Sequence, residues 1–434
     1  SFSHAETPHF AKPLDIPLYL SGNFGELRNN HFHSGIDIKT QGRIGLPVFS
    51  VDDGYVSRVT VSPWGFGRAV YITHPSTGLT TVYGHLDSFA PFIDKKVRDI
   101  QYERETFTVD LTFKAGEIPV KRGERIALSG NAGSSGGPHL HLDVRDTESG
   151  DAMDPMPYFK GHIKDNVAPE MRAIALYPVV GKGSVNGESS ATTLAPATIK
   201  EGFKAWGQVI PAIKAYDKMT DTHNIYGIKY LTLTVDGEPV YRRTIDRFSF
   251  DDTKAIHTLV DNDGVVNKGS WMMWTHVPKS NPLDYMIETS QPDGVLTIDE
   301  ERPYKCSWTL TDEHGNSRVI QFTITGQRQE IVPEKAKGDL FEFNGRNTYS
   351  DNGLKVIIEP STLYDDIYFS VDSATSESYL TPVYRIGDRS VPLRKDYTIV
   401  MDIPNDTVVD KSKYVMVRLN GKRRNKVDAC YDNG

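Results

Sequence analysis

Hairpin chemistry recurs along this chain and constrains its fold more than any other feature. In "IKYLTLTVDGEPVYRRTID" apolar and polar residues alternate on both sides of Asp236-Gly237, a dipeptide that accepts the positive φ angles of a two-residue β-turn. "YKCSWTLTDEHGNSRVIQFTITG" repeats that design around Gly315-Asn316. Near the N-terminus the same texture appears in "GLPVFSVDDGYVSRVTV", "RAVYITHP", "GLTTVYGHL", "ERIALSG" and "PHLHLDVR", each bounded by turn residues. Apolar stripes at helical spacing are scarce, so the fold class is mostly β.

At 434 residues the chain is too long for one ordinary core, and two to four domains are expected. Residues 1–160 read as a compact antiparallel β domain. The charged stretch "DKKVRDIQYERETFTVDLTFKAGE", within Ile93 to Val120, reads as an insertion or extended hairpin near the same site. The prolines of "DAMDPMPYF" close this domain. Residues 165–330, with their spaced hairpins, read as an Ig-like β-sandwich. The polar "QRQEIVPEKAKGD" then serves as a linker to a third β-rich unit over 335–434. The sequence stops on Asn433-Gly434, a dipeptide that normally starts a hairpin return, so the last unit is expected to be incomplete.

Lys and Arg total 49 against 57 Asp and Glu, a formal charge of −8, and no basic run or RNA-type aromatic signature occurs. Nucleic acid is therefore excluded as an expected partner. No apolar stretch is long enough to cross a bilayer, and the start at Ser1 without a methionine fits a processed, exported chain. Cys306 and Cys430 stand far apart, which argues against a disulfide framework or a thiolate zinc site. Any metal must then be held by histidine and carboxylate.

Such residues gather in three places. "FHSGIDIKT" sets His33 four positions before Asp37, on one face if the stretch is a strand, with Gly35 leaving space between them. "GPHLHLDV" sets His139 and His141 two apart, again on one strand face. His85 ends a third strand in "TTVYGHL". Zinc suits nitrogen and carboxylate donors, and a catalytic site uses three protein ligands with one position open. A set of two histidines and one aspartate leaves another histidine for acid–base work. No HExxH occurs, so the base must be histidine rather than a helix-borne glutamate. His85 and His139 are able to share that duty.

In combination these segments resemble the lysostaphin-type, or LytM-type, zinc endopeptidases of peptidoglycan. The family's H-x-G-x-D appears as His33-Ser34-Gly35-Ile36-Asp37, followed by "GLPVFSVDDGYVSRV". "WGFG", running straight on into "RAVYITHPSTGLTTVYGHL", looks like the family's next strand pair, and "IALSGNAGSSGGPHLHLDV" like its glycine-rich approach to H-x-H. The likeness runs from about Asn23 to Pro157. It implies a small antiparallel sheet of the duplicated hybrid motif type with a groove above the metal. It also implies zinc ligation by His33, Asp37 and His141, with His85 and His139 as catalytic histidines.

The implied activity is zinc-dependent hydrolysis of amide bonds in peptidoglycan stem or cross-bridge peptides, with zinc-bound water as nucleophile. The implied setting is the periplasm, cell envelope or exterior of a bacterium, with room for a protein activator or envelope partner. The rival reading is a catalytically silent wall-binding or regulatory protein whose zinc site is covered. A phosphocarrier role for the paired histidines is disfavoured, because Asp37 would repel phosphate. His31, two residues before His33, is a competing ligand whose bland reading is a solvated residue. Trp64 and Phe66 are candidates to line a groove. His74 and Asp52-Asp53 read as structural, and His4, His9 and His314 belong to no comparable constellation.

Overall fold

The structure, a computed structural model, describes residues 7–404 and 406–431. The Ser1 start, His4 and the Asn433-Gly434 end lie outside the described residues. Twelve strands build the N-terminal part: β1 (Leu20–Gly22), β2 (Gly35–Lys39), β3 (Pro47–Phe49), β4 (Gly54–Val61), β5 (Arg68–His74), β6 (Leu79–Gly84), β7 (Leu86–Phe89), β8 (Val109–Thr112), β9 (Pro119–Val120), β10 (Arg125–Ser129), β11 (His139–Asp146) and β12 (Ala152–Met153). The main sheet runs β1-β2-β11-β6-β5-β4-β8, with β9 against β4 and β12 against β11. A second, small sheet runs β3-β10-β7.

Strand alternation divides the main sheet into two faces. Ile36, Ile38, Val70, Ile72, Leu140 and Leu142 point into the core, each with no exposure to solvent. The residues between them, including Asp37, His139 and His141, therefore occupy the opposite face. That division places the polar chemistry on a rigid sheet without opening the core.

The charged insertion is not a hairpin. Its first half is helix α1 (Pro91–Glu103), opened by a proline in its first turn and tied along its exposed side by Lys95–Asp99 and Arg98–Asp94 ion pairs. Ile93 and Val97 anchor it in the core. The strands that follow, β8 and β9, both pair with β4 and not with each other. Periodicity hid the helix because only two of its side chains are buried.

Eleven strands follow: β13 (Glu170–Val185), β14 (Thr192–Leu194), β15 (Phe203–Tyr216), β16 (Tyr230–Val235), β17 (Glu238–Thr244), β18 (Arg247–Phe248), β19 (Met273–Trp274), β20 (Ile287–Thr289), β21 (Leu296–Ile298), β22 (Pro303–Thr311) and β23 (Ser317–Gly326). The β16–β17 hairpin turns on Asp236 (φ 51°) and Gly237 (φ 88°), as the alternation around that pair requires. The β22–β23 hairpin closes on the longer loop Asp312–Asn316, between the Thr311 and Ser317 pair. Except for β18, these strands form one hydrogen-bonded sheet, because β15 pairs with β13 along its length and also meets β19, β21 and β23. The sheet encloses a core that includes Trp308, Leu233, Leu310 and Ile324.

Residues up to Val277 and Asn281–Glu334 pack as one compact unit, so the change of texture near residue 165 separates two sheets and not two units. Several ties join these two parts of the unit. Among them, β12 pairs with β18, Tyr226 donates its hydroxyl to the Leu20 carbonyl, Asn23 exchanges side-chain hydrogen bonds with the backbone of Gly227, and Lys229 pairs with Asp154. A second unit comprises Pro278–Ser280 and the chain from Lys335 onward. Its own core contains Phe341, Leu354, Val356, Ile358, Leu363 and Phe369. Cys306 is buried and Cys430 exposed, and both are free thiols. Among the described residues no helix is long and apolar enough to cross a membrane.

Candidate metal centre

The pairing of β2 with β11 sets Asp37 directly opposite His141. His33 lies just before β2 and folds back onto the same face. The three side chains converge: His33 Nε2 lies 3.1 Å from Asp37 Oδ1 and 3.2 Å from His141 Nδ1, and the latter two atoms are 2.9 Å apart. Two imidazole nitrogens facing one another and one carboxylate oxygen form a donor set that a proton can satisfy only in part. Tetrahedral zinc with bonds near 2.0–2.1 Å needs donor atoms about 3.3 Å apart. The triad fits that spacing, and each member is buried, at 2%, 6% and 4% exposure.

The outward-facing atom of each donor is also held. His33 donates its Nδ1–H to the Asn23 carbonyl at 2.6 Å, which leaves Nε2 as the ligand atom. His141 donates its Nε2–H to Asp143 Oδ1 at 2.5 Å, leaving Nδ1 free to ligate. Asp143 is itself fully buried and gripped through its other oxygen by Arg145 at 2.6 and 3.0 Å. Arg28 holds Asp37 Oδ2 at 2.9 Å, turning Oδ1 toward the histidines. Sequence reading missed Asn23, Arg28, Asp143 and Arg145. The period-two spacing of His141, Asp143 and Arg145 on one strand was the available signal for two of them.

Gly35 is required by close approach, since a Cβ there would sit 2.2 Å from the Leu142 carbonyl oxygen and 2.6 Å from Asp143 Oδ1. The space expected between His33 and Asp37 is thus filled by the neighbouring strand. Only a residue without a side chain lets β2 approach β11 here.

His85 and His139 flank the triad with ring centroids 4.6 Å apart. His139 Nε2 stands 3.4 Å from Asp37 Oδ1, while its Nδ1–H is donated to the Gly137 carbonyl at 2.8 Å. His85 Nδ1–H is donated to the Ala132 carbonyl at 2.8 Å. With Nδ1–H committed in this way, Nε2 is the nitrogen of each ring left to exchange a proton. His85 has a left-handed backbone (φ 58°), held by two interlocked loops. Its N–H bonds the Phe66 carbonyl, Gly65 exchanges bonds with Ser134, and Gly67 and Gly133 meet so closely that a Cβ on Gly133 would lie 2.3 Å from the Gly67 nitrogen.

Electrostatics distinguish His85, His33 and His141. Burial drives the His85 pKa down to about 4, so its ring is neutral across the physiological range. Burial also lowers His33, with partial opposition from Asp37. His141 is buried too, yet Asp143 and Asp37 overcome that cost and hold it up near 9. Burial raises Asp143, but the His141 and Arg145 charges outweigh it and bring the carboxyl down to about 2. Asp37 likewise overcomes desolvation, through hydrogen bonds from His139, His141 and His33, and stays far below the usual carboxylate range.

The remaining expectations sort cleanly. His31 is exposed and outside the triad. Phe66 packs on the His141 ring at 4.8 Å, and Trp64, two residues away on the same loop, is 75% exposed. His74 is fully buried between the Asp53 carbonyl and the Thr81 hydroxyl, a structural role. No hydrogen bond or ion pair described for the triad or its two flanking histidines involves the 93–120 insertion.

The sequence model of peptidase family M23 matches residues 31–101, and that of the Zu5-like domain matches residues 338–434. An uncharacterized metalloprotease of Haemophilus influenzae is 36% identical over 124 residues, 29% of this chain and 20% of that protein. The peptidoglycan DD-endopeptidase ShyB of Vibrio cholerae is 36% identical over 112 residues, 26% of this chain and 20% of its own. The catalytic domain of lysostaphin from Staphylococcus simulans is 26% identical, covering 33% of this chain and 90% of that domain, with a TM-score of 0.24. The chain spans about a fifth of the length of these two curated relatives.

Proposed function

On the match of residues 31–101 to the sequence model of peptidase family M23, we propose that the protein is an exported, zinc-dependent endopeptidase that hydrolyses amide bonds in peptidoglycan stem or cross-bridge peptides. The observation that carries this reading is the convergence of His33 Nε2, Asp37 Oδ1 and His141 Nδ1 beside two histidines whose Nδ1 atoms are already committed to carbonyls. His33, Asp37 and His141 would hold the metal. Two neutral imidazoles and one carboxylate carry a charge of −1, which leaves a divalent ion with net positive charge. When bound, zinc supplies Lewis acidity that makes water a nucleophile near neutral pH and polarises the scissile carbonyl.

The chain's own residues supply the proton traffic. His139, with Nε2 beside the ligand cluster, accepts a proton from the attacking water. His85, neutral and fixed by Ala132, offers a second Nε2 lone pair on the same face that helps orient the water, and the proton His139 has accepted is then delivered from its Nε2 to the leaving amine. Because its Nδ1 remains bonded to a carbonyl throughout, the His139 ring gains and loses that proton without rotating.

Incubation of the zinc-loaded protein with peptidoglycan from several wall types tests the proposal. New amino termini are expected with the wild type and not with His139→Ala that retains zinc. The burial of His33, Asp37, His85 and His141 supports one rival, a silent wall-binding or regulatory protein with a covered site. No cleavage of any wall type by fully zinc-loaded protein would select that rival.

A further inference from the structure

Outside the His33–Asp37–His141 cluster, three aspartates converge where the two sheets of the first unit meet. Asp165 lies between the sheets' strands in sequence, Asp217 follows β15, and Asp312 opens the β22–β23 loop. Each offers a carboxylate oxygen within 4.8 Å of the others, and they are 4%, 3% and 5% exposed. Protein donors satisfy only part of this set. Asp165 Oδ1 accepts from the backbone N–H groups of Val167 and Thr220, and Asp312 accepts from Asn316 through both oxygens. Asp165 Oδ2 and Asp217 Oδ1 are buried with no hydrogen-bonding partner.

Two independent observations say that something belongs between them. The aspartates line a cavity of about 20 Å³, room for one water-sized sphere. Of the other groups lining the cavity, Lys229 is paired with Asp154 at 2.7 Å and with Glu313, and His314 donates its Nε2–H to the Ile163 carbonyl while its Nδ1 is buried without a partner. Among the described residues, none of the three aspartates makes an ion pair with Lys or Arg.

We propose that Asp165, Asp217 and Asp312 form a second metal site that takes a hard divalent cation of the calcium class. The donors are all oxygen, as calcium prefers, and they come from loops at strand ends, which suits its loose coordination better than the strict octahedron of magnesium. A bound ion would satisfy both orphaned oxygens and cancel two of three buried negative charges. It would also brace the segment that links the sheets. Asp217 is bridged through its backbone to Tyr226, and Gly227 grips Asn23, whose carbonyl orients His33.

The competing chemistry is protonation. Burial and repulsion from neighbouring aspartates raise Asp217 to about 8 and Asp165 to about 6 in the metal-free protein. The two alternatives differ in what the protein carries after dialysis.

The test is equilibrium dialysis of the zinc-loaded full chain against calcium at pH 7.5, followed by elemental analysis and thermal melting, with parallel magnesium and zinc arms. Expected is one calcium per chain in addition to zinc, with a Tm raised by calcium. Asp217→Asn is expected to keep its zinc, lose the calcium, and melt at a temperature that calcium no longer changes. Calcium content at background in the wild type, or calcium retained in full by folded Asp217→Asn, overturns the proposal in favour of shared protons. Should Asp217→Asn fail to fold, terbium luminescence of the wild type decides: emission displaced by excess calcium supports the site, and no bound terbium overturns it.

Discussion

His141 and Asp143 share one face of β11, and the 2.5 Å hydrogen bond between them decides which nitrogen of His141 faces His33 and Asp37. The His141 ring is thereby oriented from behind by a carboxylate that is itself buried and clamped by Arg145.

Asp143→Asn keeps the shape of that contact and removes its charge. Zinc affinity is expected to fall by about 10–100-fold, the usual effect of losing a histidine's carboxylate partner. Competition against a chelator of known affinity measures it; equal affinity in wild type and variant would sink the assignment of Asp143 as an orienting group.

The pH dependence of the metal-free protein follows from His141. Its folded pKa of about 9 lies above the ordinary 6.5, so the stability it contributes is complete below about pH 6.5 and is lost as pH rises through about 9. Metal binding displaces this proton, so zinc-loaded protein escapes the loss. The Tm difference between zinc-loaded and metal-free protein is therefore expected to widen from pH 6.5 to 9. A constant or narrowing difference would contradict the raised pKa.

Gly133→Ala tests the interlocked loops. A Cβ at φ 73°, 2.3 Å from the Gly67 nitrogen, must push the loops apart and carry the Ala132 carbonyl away from His85. Since none of the ligands lies on these loops, zinc content is expected to stay near one per chain while kcat drops about 10²-fold. Parallel loss of zinc and activity would show instead that the loops hold the triad.

Trp64 is exposed on the loop whose Phe66 covers His141. As an aromatic wall for a peptide it would contribute about 1 kcal/mol, so Trp64→Ala is expected to raise KM several-fold with little change in kcat. An unchanged KM on peptidoglycan fragments would remove it from the substrate path.

Much of the site was legible because strand periodicity is simple. His139 and His141 two apart, and Asp37 within a Gly-containing strand, announce their shared face without any knowledge of the neighbours. The residues that were missed act across the fold. Asn23 and Arg28 reach the ligands from the chain before β2, through a backbone carbonyl and a long side chain that no spacing rule ties to histidine. Helix α1 was misread because its exposed side is laced with charges and only Ile93 and Val97 report to the core. The acidic cluster was invisible for the same reason: Asp165, Asp217 and Asp312 become neighbours only once the strands around them have formed.

The pairing of β2 with β11 has a further consequence for how the centre comes into being. His33 and Asp37 are local to each other, but His141 joins them only across a separation of 104 residues, when Asp37 finds its strand partner. An extended chain therefore offers two donors and no cage. A metal held by all three side chains would therefore require the closed β2–β11 pairing and would in turn stabilise the strand pairing that creates its binding place.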